Sequence, residues 1–106
     1  IGNTQLISLD ASKFDTSTLR PATQNFLNKT KSSVILLFQT KNGSLLCLIG
    51  VTDDLHEKNS ADIICKSLIK TFNAKGGGNK LLAQASVDYH VDLKEKMIST
   101  VRKLLN

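Results

Sequence analysis

The stretch "SSVILLFQTKNGSLLCLIGV", Ser32 to Val51, decides the fold. Two near-continuous apolar runs, Ser32 to Thr40 and Gly43 to Val51, are divided by Lys41-Asn42-Gly43. Asn-Gly between two strand-like runs is a strong hairpin signal, because both residues tolerate the positive φ that a tight turn demands. The two strands should therefore pair antiparallel. Their weak polar alternation implies cover on both faces, and hence a central place in a sheet.

Upstream of the hairpin, "QLISLDA", Gln5 to Ala11, reads as a first strand. "KFDTSTLRPATQNFLNKT" then offers Asp15 and Ser17 as N-cap residues, with Leu19, Ala22 and Phe26 at helical spacing. Pro21 is tolerated only near a helix start, where its missing N–H is no loss, so the regular helix should begin near Thr18. Downstream, Asp53 and Asp54 mark a turn, Asn59 and Ser60 are cap candidates, and Asp62 suits the positive end of a helix dipole. Ala61, Ile64, Cys65, Leu68 and Phe72 form the buried face of that helix, and Lys66 and Lys70 lie one turn apart on its other side. The helix runs out near Asn73.

"LLAQASV", Leu81 to Val87, reads as a fourth strand, and "VDLKEKMISTVRKLL" as a closing amphipathic helix with Leu93, Met97, Val101 and Leu104 inward. The predicted order is β-α-β-β-α-β-α. This is an α/β (α+β) fold, a single mixed β-sheet packed with helices, and the whole of residues 1–106 should form one domain.

Composition agrees. A chain of 106 residues holds one core and is too short for two. Lys and Arg number 14 against 9 Asp and Glu, a formal charge of +5, which favours a polyanionic partner without requiring one. Cys47 and Cys65 lie inside apolar patterns and outside any metal-ligand spacing. They read as buried thiols, and so sparse a cysteine usage leans towards the cytoplasm. No charged leader precedes an apolar core, and no apolar run reaches the roughly 20 residues that span a bilayer, so a soluble module with no membrane partner is expected.

Catalysis finds little support. His56 and His90 sit in different loops, outside any nucleophile elbow or zinc motif. Asp53 and Asp54 have the oxygen chemistry to hold a metal, yet a turn before a helix accounts for both. The glycine run in "NAKGGGNKLLAQAS", Asn73 to Ser86, is more informative. It follows a helix and precedes a strand, whereas dinucleotide fingerprints and P-loops follow a strand and open a helix. A helix C-cap normally needs one glycine, and three exceed that need. What remains is bare backbone, edged by Lys75 and Lys80, that a partner can approach closely and whose N–H groups can face an anion.

"AKGGGNKLLAQAS", with "GVTDDL" and "LRPATQNFLNK" upstream, resembles the C-terminal domain of alanyl-tRNA synthetases, a module shared with DHH-type phosphoesterases as their associated domain. In that family a segment of the form GGKGGGRPDMAQAGG follows a helix. Here Lys75 to Gly78 keep KGGG, and Ala83 to Ala85 keep AQA at the same separation. Where the family commonly has Arg, Pro and Asp, this chain has Asn79, Lys80 and Leu81, and Ser86 and Val87 replace the final glycines. The phosphoesterase branch continues as GGGH. Asn79 stands in place of that histidine, and the chain has no DHH motif, both of which count against a phosphoesterase substrate domain.

The resemblance implies a non-catalytic module of a parent alanine–tRNA ligase. It would bind tRNA, in particular the elbow of tRNA for alanine, beside the other domains of the parent. It also implies a contact loop of Lys75, Gly76, Gly77, Gly78, Asn79 and Lys80, supported by Gln84. Lys66, Lys70, Arg102 and Lys103 are further candidates for phosphate contacts, each with plain solvated surface charge as the competing reading. No cofactor is expected in this domain, whereas the parent would use ATP, Mg and Zn. The alternatives are a dimerisation or protein-interaction domain, forming a homodimer, and the substrate-binding domain of a DHH phosphoesterase.

Overall fold

The Asn-Gly hairpin forms where the sequence predicts it. In the computed structural model, which describes residues 5–10, 16–41, 43–55, 60–89 and 92–105, β2 (Ser33–Lys41) and β3 (Ser44–Val51) pair antiparallel from Lys41–Ser44 to Val34–Val51. Gly43 takes a φ of 79° in the turn. Asn42, Asp15, Asn59, His56 and His90 lie outside the described residues.

Outward from the hairpin, β1 (Gln5–Asp10) lies parallel to β2, and the chain crosses between them through α1 (Thr16–Lys29). Parallel neighbours require such a crossover, because a tight turn cannot join them. After β3 comes a single 3₁₀ turn, Asp53–Leu55, and then α2 (Ala61–Phe72). The predicted fourth strand is β5 (Leu82–Asp88), antiparallel to β3, and α3 (Leu93–Leu105) closes the chain. One additional strand appears: Lys75–Gly78, read from the sequence as a loop, is a short strand β4 on the outer side of β5. The sheet is therefore five-stranded and mixed, in the order β1-β2-β3-β5-β4, with the hairpin strands inside it.

Helix α1 begins at Thr16, ahead of the predicted Thr18, so Pro21 stands sixth in it, past the first turn. The helix loses one ladder bond there, but Leu19 and Thr23 on either side of the proline are both buried against the sheet. Packing of that face outweighs the local cost. The Thr23 hydroxyl donates to the Leu19 carbonyl at 2.8 Å. Gly50 on β3 lets the helix come close, since a Cβ there would stand 2.7 Å from the Thr23 methyl carbon and 2.9 Å from Ile35 Cγ2.

The two faces of the sheet carry separate cores. On one, alternate residues Val34, Leu36 and Phe38 of β2, Leu45, Cys47, Ile49 and Val51 of β3, and Ala83 and Ala85 of β5 pack against Ile64, Cys65 and Leu68 of α2 and Leu93, Met97 and Val101 of α3. On the other, Ile35, Leu37, Leu48 and Leu82 pack against Leu19 and Leu27 of α1. The predicted inward residues of α2 and α3 are buried, apart from a half-buried Phe72 and an exposed Leu104. No helix among the described residues is long and apolar enough to cross a membrane.

Candidate nucleic-acid interface

The glycine run does not cap α2. Asn73 takes the left-handed conformation (φ 57°) that a helix C-terminus favours, and the Ala74 N–H reaches the Ile69 carbonyl at 3.2 Å. The glycines then pair with β5: Lys75 with Ser86, Gly76 with Ala85, Gly77 with Gln84 and Gly78 with Ala83.

The three glycines are not equivalent. A Cβ on Gly76, whose φ is 156°, would meet the Gln84 carbonyl oxygen at 2.0 Å. A Cβ on Gly78 would stand 2.4 Å from Ala83 Cα and 2.5 Å from the Leu82 carbonyl oxygen. Both contacts are with backbone that cannot yield, so these two positions demand glycine if β4 is to lie this close to β5. A Cβ on Gly77 would meet no atom of the described residues within 4 Å.

The β4–β5 turn is fastened by Asn79. Its N–H donates to the Leu82 carbonyl (3.0 Å), and its side-chain oxygen accepts from the N–H groups of Leu81 and Leu82, each at 2.9 Å. This is the side-chain mimicry of a backbone turn at which Asn excels. Two further bonds tie the turn down: the Ala61 N–H at the start of α2 donates to the Lys80 carbonyl (2.9 Å), and the Val51 N–H to that of Leu81 (3.0 Å). Lys80 is exposed. Lys80 thus turns its side chain to solvent while its backbone is held inside the fold.

Strand alternation separates the charged candidates. Ala83 and Ala85 point into the α2 core, so Gln84 and Ser86 face the opposite way, and both are exposed. Lys75 and Gly77, their register partners, share that face. Helix α1 covers it only as far as Leu82. The result is an open half-face carrying Lys75, Gly77, Gln84 and Ser86. At its Lys75 end lies a depression of about 610 Å³, lined by Ser44, Phe72, Asn73, Lys75, Ser86 and Asp88 among others. Lys66 and Lys70 are exposed on α2, and Arg102 and Lys103 on α3, the helices that cover the other face. The sequence reading brought Gln84 into the site through the AQA motif but missed Ser86, whose place follows only from the period of two along β5.

Asp54, Asp62 and the two thiols are engaged within the fold. Asp54 accepts from the Ser32 hydroxyl (2.7 Å) and the Ser32 N–H (3.1 Å). These bonds, the Ser32 hydroxyl first and then that of Thr52, hold its carboxyl down at about 2. The Asp62 carboxyl is lowered chiefly by the Ser60 hydroxyl, which donates to it. Cys47 and Cys65 are both buried, and burial above all pushes each thiol up, so both are protonated at neutral pH. Cys65 Sγ donates to the Gln84 carbonyl at 3.2 Å, on the covered side of β5.

No family model matches the chain. It is 39% identical over 75 residues to the mitochondrial alanine–tRNA ligase of Dictyostelium discoideum, a match covering 69% of this chain and 8% of that protein. It is 33% identical over 85 residues to the alanine–tRNA ligase of Nitrosospira multiformis, covering 80% of this chain and 10% of that one. The chain thus spans about a tenth of the length of these relatives. Among solved structures, the C-Ala domain of Aquifex aeolicus alanyl-tRNA synthetase has the same fold, with a TM-score of 0.82, 21% identity, and coverage of 94% of this chain and 89% of that one.

Proposed function

The chain belongs to the alanyl-tRNA synthetase family as a counterpart of its C-terminal domain, and on that premise we propose that it is a tRNA-binding module that performs no chemistry itself. On this reading it docks on the elbow of tRNA for alanine and so serves aminoacylation and editing by the other domains of a parent ligase. ATP, Mg and Zn would belong to those domains.

The observation that carries the reading is the exposed Lys75-Gly76-Gly77-Gly78 strand at a sheet edge, with Lys80 at its turn and Gln84 beside it. RNA is recognised largely by shape, phosphate and 2′-OH, for which lysines, amides and accessible backbone suffice. A net charge of +5 draws a polyanion in.

Titrating a transcribed alanine tRNA at several salt concentrations tests this. Affinity should fall as salt rises, because lysines that neutralise phosphates release counterions on binding, and Lys75→Ala with Lys80→Ala should shrink the log–log slope by about one unit for each of the two that touches a phosphate. An unchanged slope and affinity in the double variant would remove these lysines from the interface. A minihelix lacking the elbow should bind more weakly than the full tRNA, and equal binding would refute the elbow.

The outer edge of β4 favours a second reading. Among the described residues no strand lies beyond it in the sheet, and an exposed edge is a template for pairing with a second copy. Sedimentation with and without tRNA separates the two, since a tight dimer indifferent to tRNA would support the homodimer.

A further inference from the structure

We infer that RNA lies across the open half of the sheet face, over Gly77 and between Lys75 and Gln84, and not around the tip of the β4–β5 hairpin. This rests on the tRNA-binding reading above and concerns which atoms that site presents.

The tip is occupied with holding itself together. The Asn79 side-chain oxygen already accepts two backbone N–H groups, the Asn79 N–H is paired with Leu82, and the Lys80 carbonyl is taken by Ala61. A ligand there would meet the Lys80 ammonium, a point charge with little power to position anything, and the Asn79 NH2, which donates but cannot accept.

The face offers more. Gly76 and Gly78 are explained by the backbone of β5 lying under them, but nothing among the described residues explains Gly77. A side chain at Gly77 would have open space to occupy, and its φ is not among the positive ones. The absent side chain instead leaves a bare peptide on the same face as Lys75, Gln84 and Ser86, flat enough for a ribose or an unstacked base to reach van der Waals contact. Around it the groups divide by chemistry. Lys75 suits a phosphate, while the Gln84 amide and Ser86 hydroxyl both donate and accept, as a 2′-OH or a base edge requires. Asp88, exposed in the lining of the depression two residues past Ser86, repels phosphate and accepts from base amino groups. The phosphate track is thereby confined to the Lys75–Gly77 side.

The test measures binding of transcribed alanine tRNA to Gly77→Leu, Gln84→Glu and Lys80→Ala, with thermal midpoints alongside. Gly77→Leu should weaken binding about tenfold or more, the scale of losing one sugar- or base-sized contact, with no change in midpoint. Gln84→Glu, which keeps the strand and adds a charge, should weaken it several-fold. Lys80→Ala should cost less than either. If Gly77→Leu and Gln84→Glu bind like the original chain while Lys80→Ala loses affinity, the contact is at the tip and the inference fails, with the tRNA reading intact. If Gly77→Leu disturbs folding, Gln84→Glu decides alone. Should the unaltered chain fail to bind tRNA at low salt, the reading and the inference fall together.

Discussion

Strand β5 has two sides that differ by one residue in register and by almost everything else. On one, Ala83 and Ala85 are sealed beneath α2, and the neighbouring β4 glycines are pressed against backbone with no room for a methyl group. On the other, Gln84 and Ser86 are exposed, and Gly77 has empty space above it. One short hairpin thus carries glycines for two reasons: two let its strands close, and one leaves a surface open. A consecutive Gly-Gly-Gly hides that difference, because only alternation along a paired strand assigns each residue to a side.

The widest gap between the sides should appear in stability. Leu68→Ala on the sealed side removes a fully buried side chain and should cost about 2–5 kcal/mol, whereas Gln84→Ala on the open side should stay within about 0.5 kcal/mol. Denaturant unfolding of both variants measures this, and equal costs would mean that the open side is not open. Next comes the glycine contrast. Gly78→Ala forces two backbones apart and should cost on the order of 3 kcal/mol, while Gly77→Ala should be close to neutral. A destabilised Gly77→Ala would assign that glycine to the fold and not to the surface. Smaller again is Asn79→Ala. It leaves two N–H groups of the turn without their acceptor, at about 1 kcal/mol because water can reach an exposed turn. Hydrogen exchange at Leu81 and Leu82 should report it locally.

Much of this was legible in the residues. The Asn-Gly hairpin, the helical faces around Leu68 and Met97 and the element order follow from periodicity and turn chemistry, which act over a few residues. Strand β4 was not legible. Lys-Gly-Gly-Gly has no β-propensity of its own, and it becomes a strand because Ala61 and Val51 pin the turn while Asn73 aims the chain back along β5. Nor did the sequence separate the lysines. Lys66 and Lys70 are near Lys75 in the chain, yet the sheet stands between the helix that carries them and the face that carries Gln84. The early start of α1 is not legible either, because Pro21 is locally a cost that only the burial of Leu19 and Thr23 in the folded chain offsets.

The covered half of the open side has its own fastening, and that sharpens the comparison by pH. Asp54 clamps Ser32 at the start of β2, beside Leu27 at the end of α1 and Leu81 at the start of β5. Its carboxyl is lowered from 3.8 to about 2 by those bonds, so its stabilising contribution is present above about pH 4 and is lost as pH falls through 2. The effect should be small, since the group faces water. Thermal midpoints followed from pH 6 to pH 2 should therefore decline more for the original chain than for Asp54→Asn, which lacks the titrating group and starts lower at neutral pH. Parallel declines would show that acid acts elsewhere. Gln84 and Lys75 lie beyond the clamp, so tRNA affinity measured at neutral pH should be the same in both chains. A loss of affinity in Asp54→Asn would mean that the covered and open halves of this face are mechanically linked.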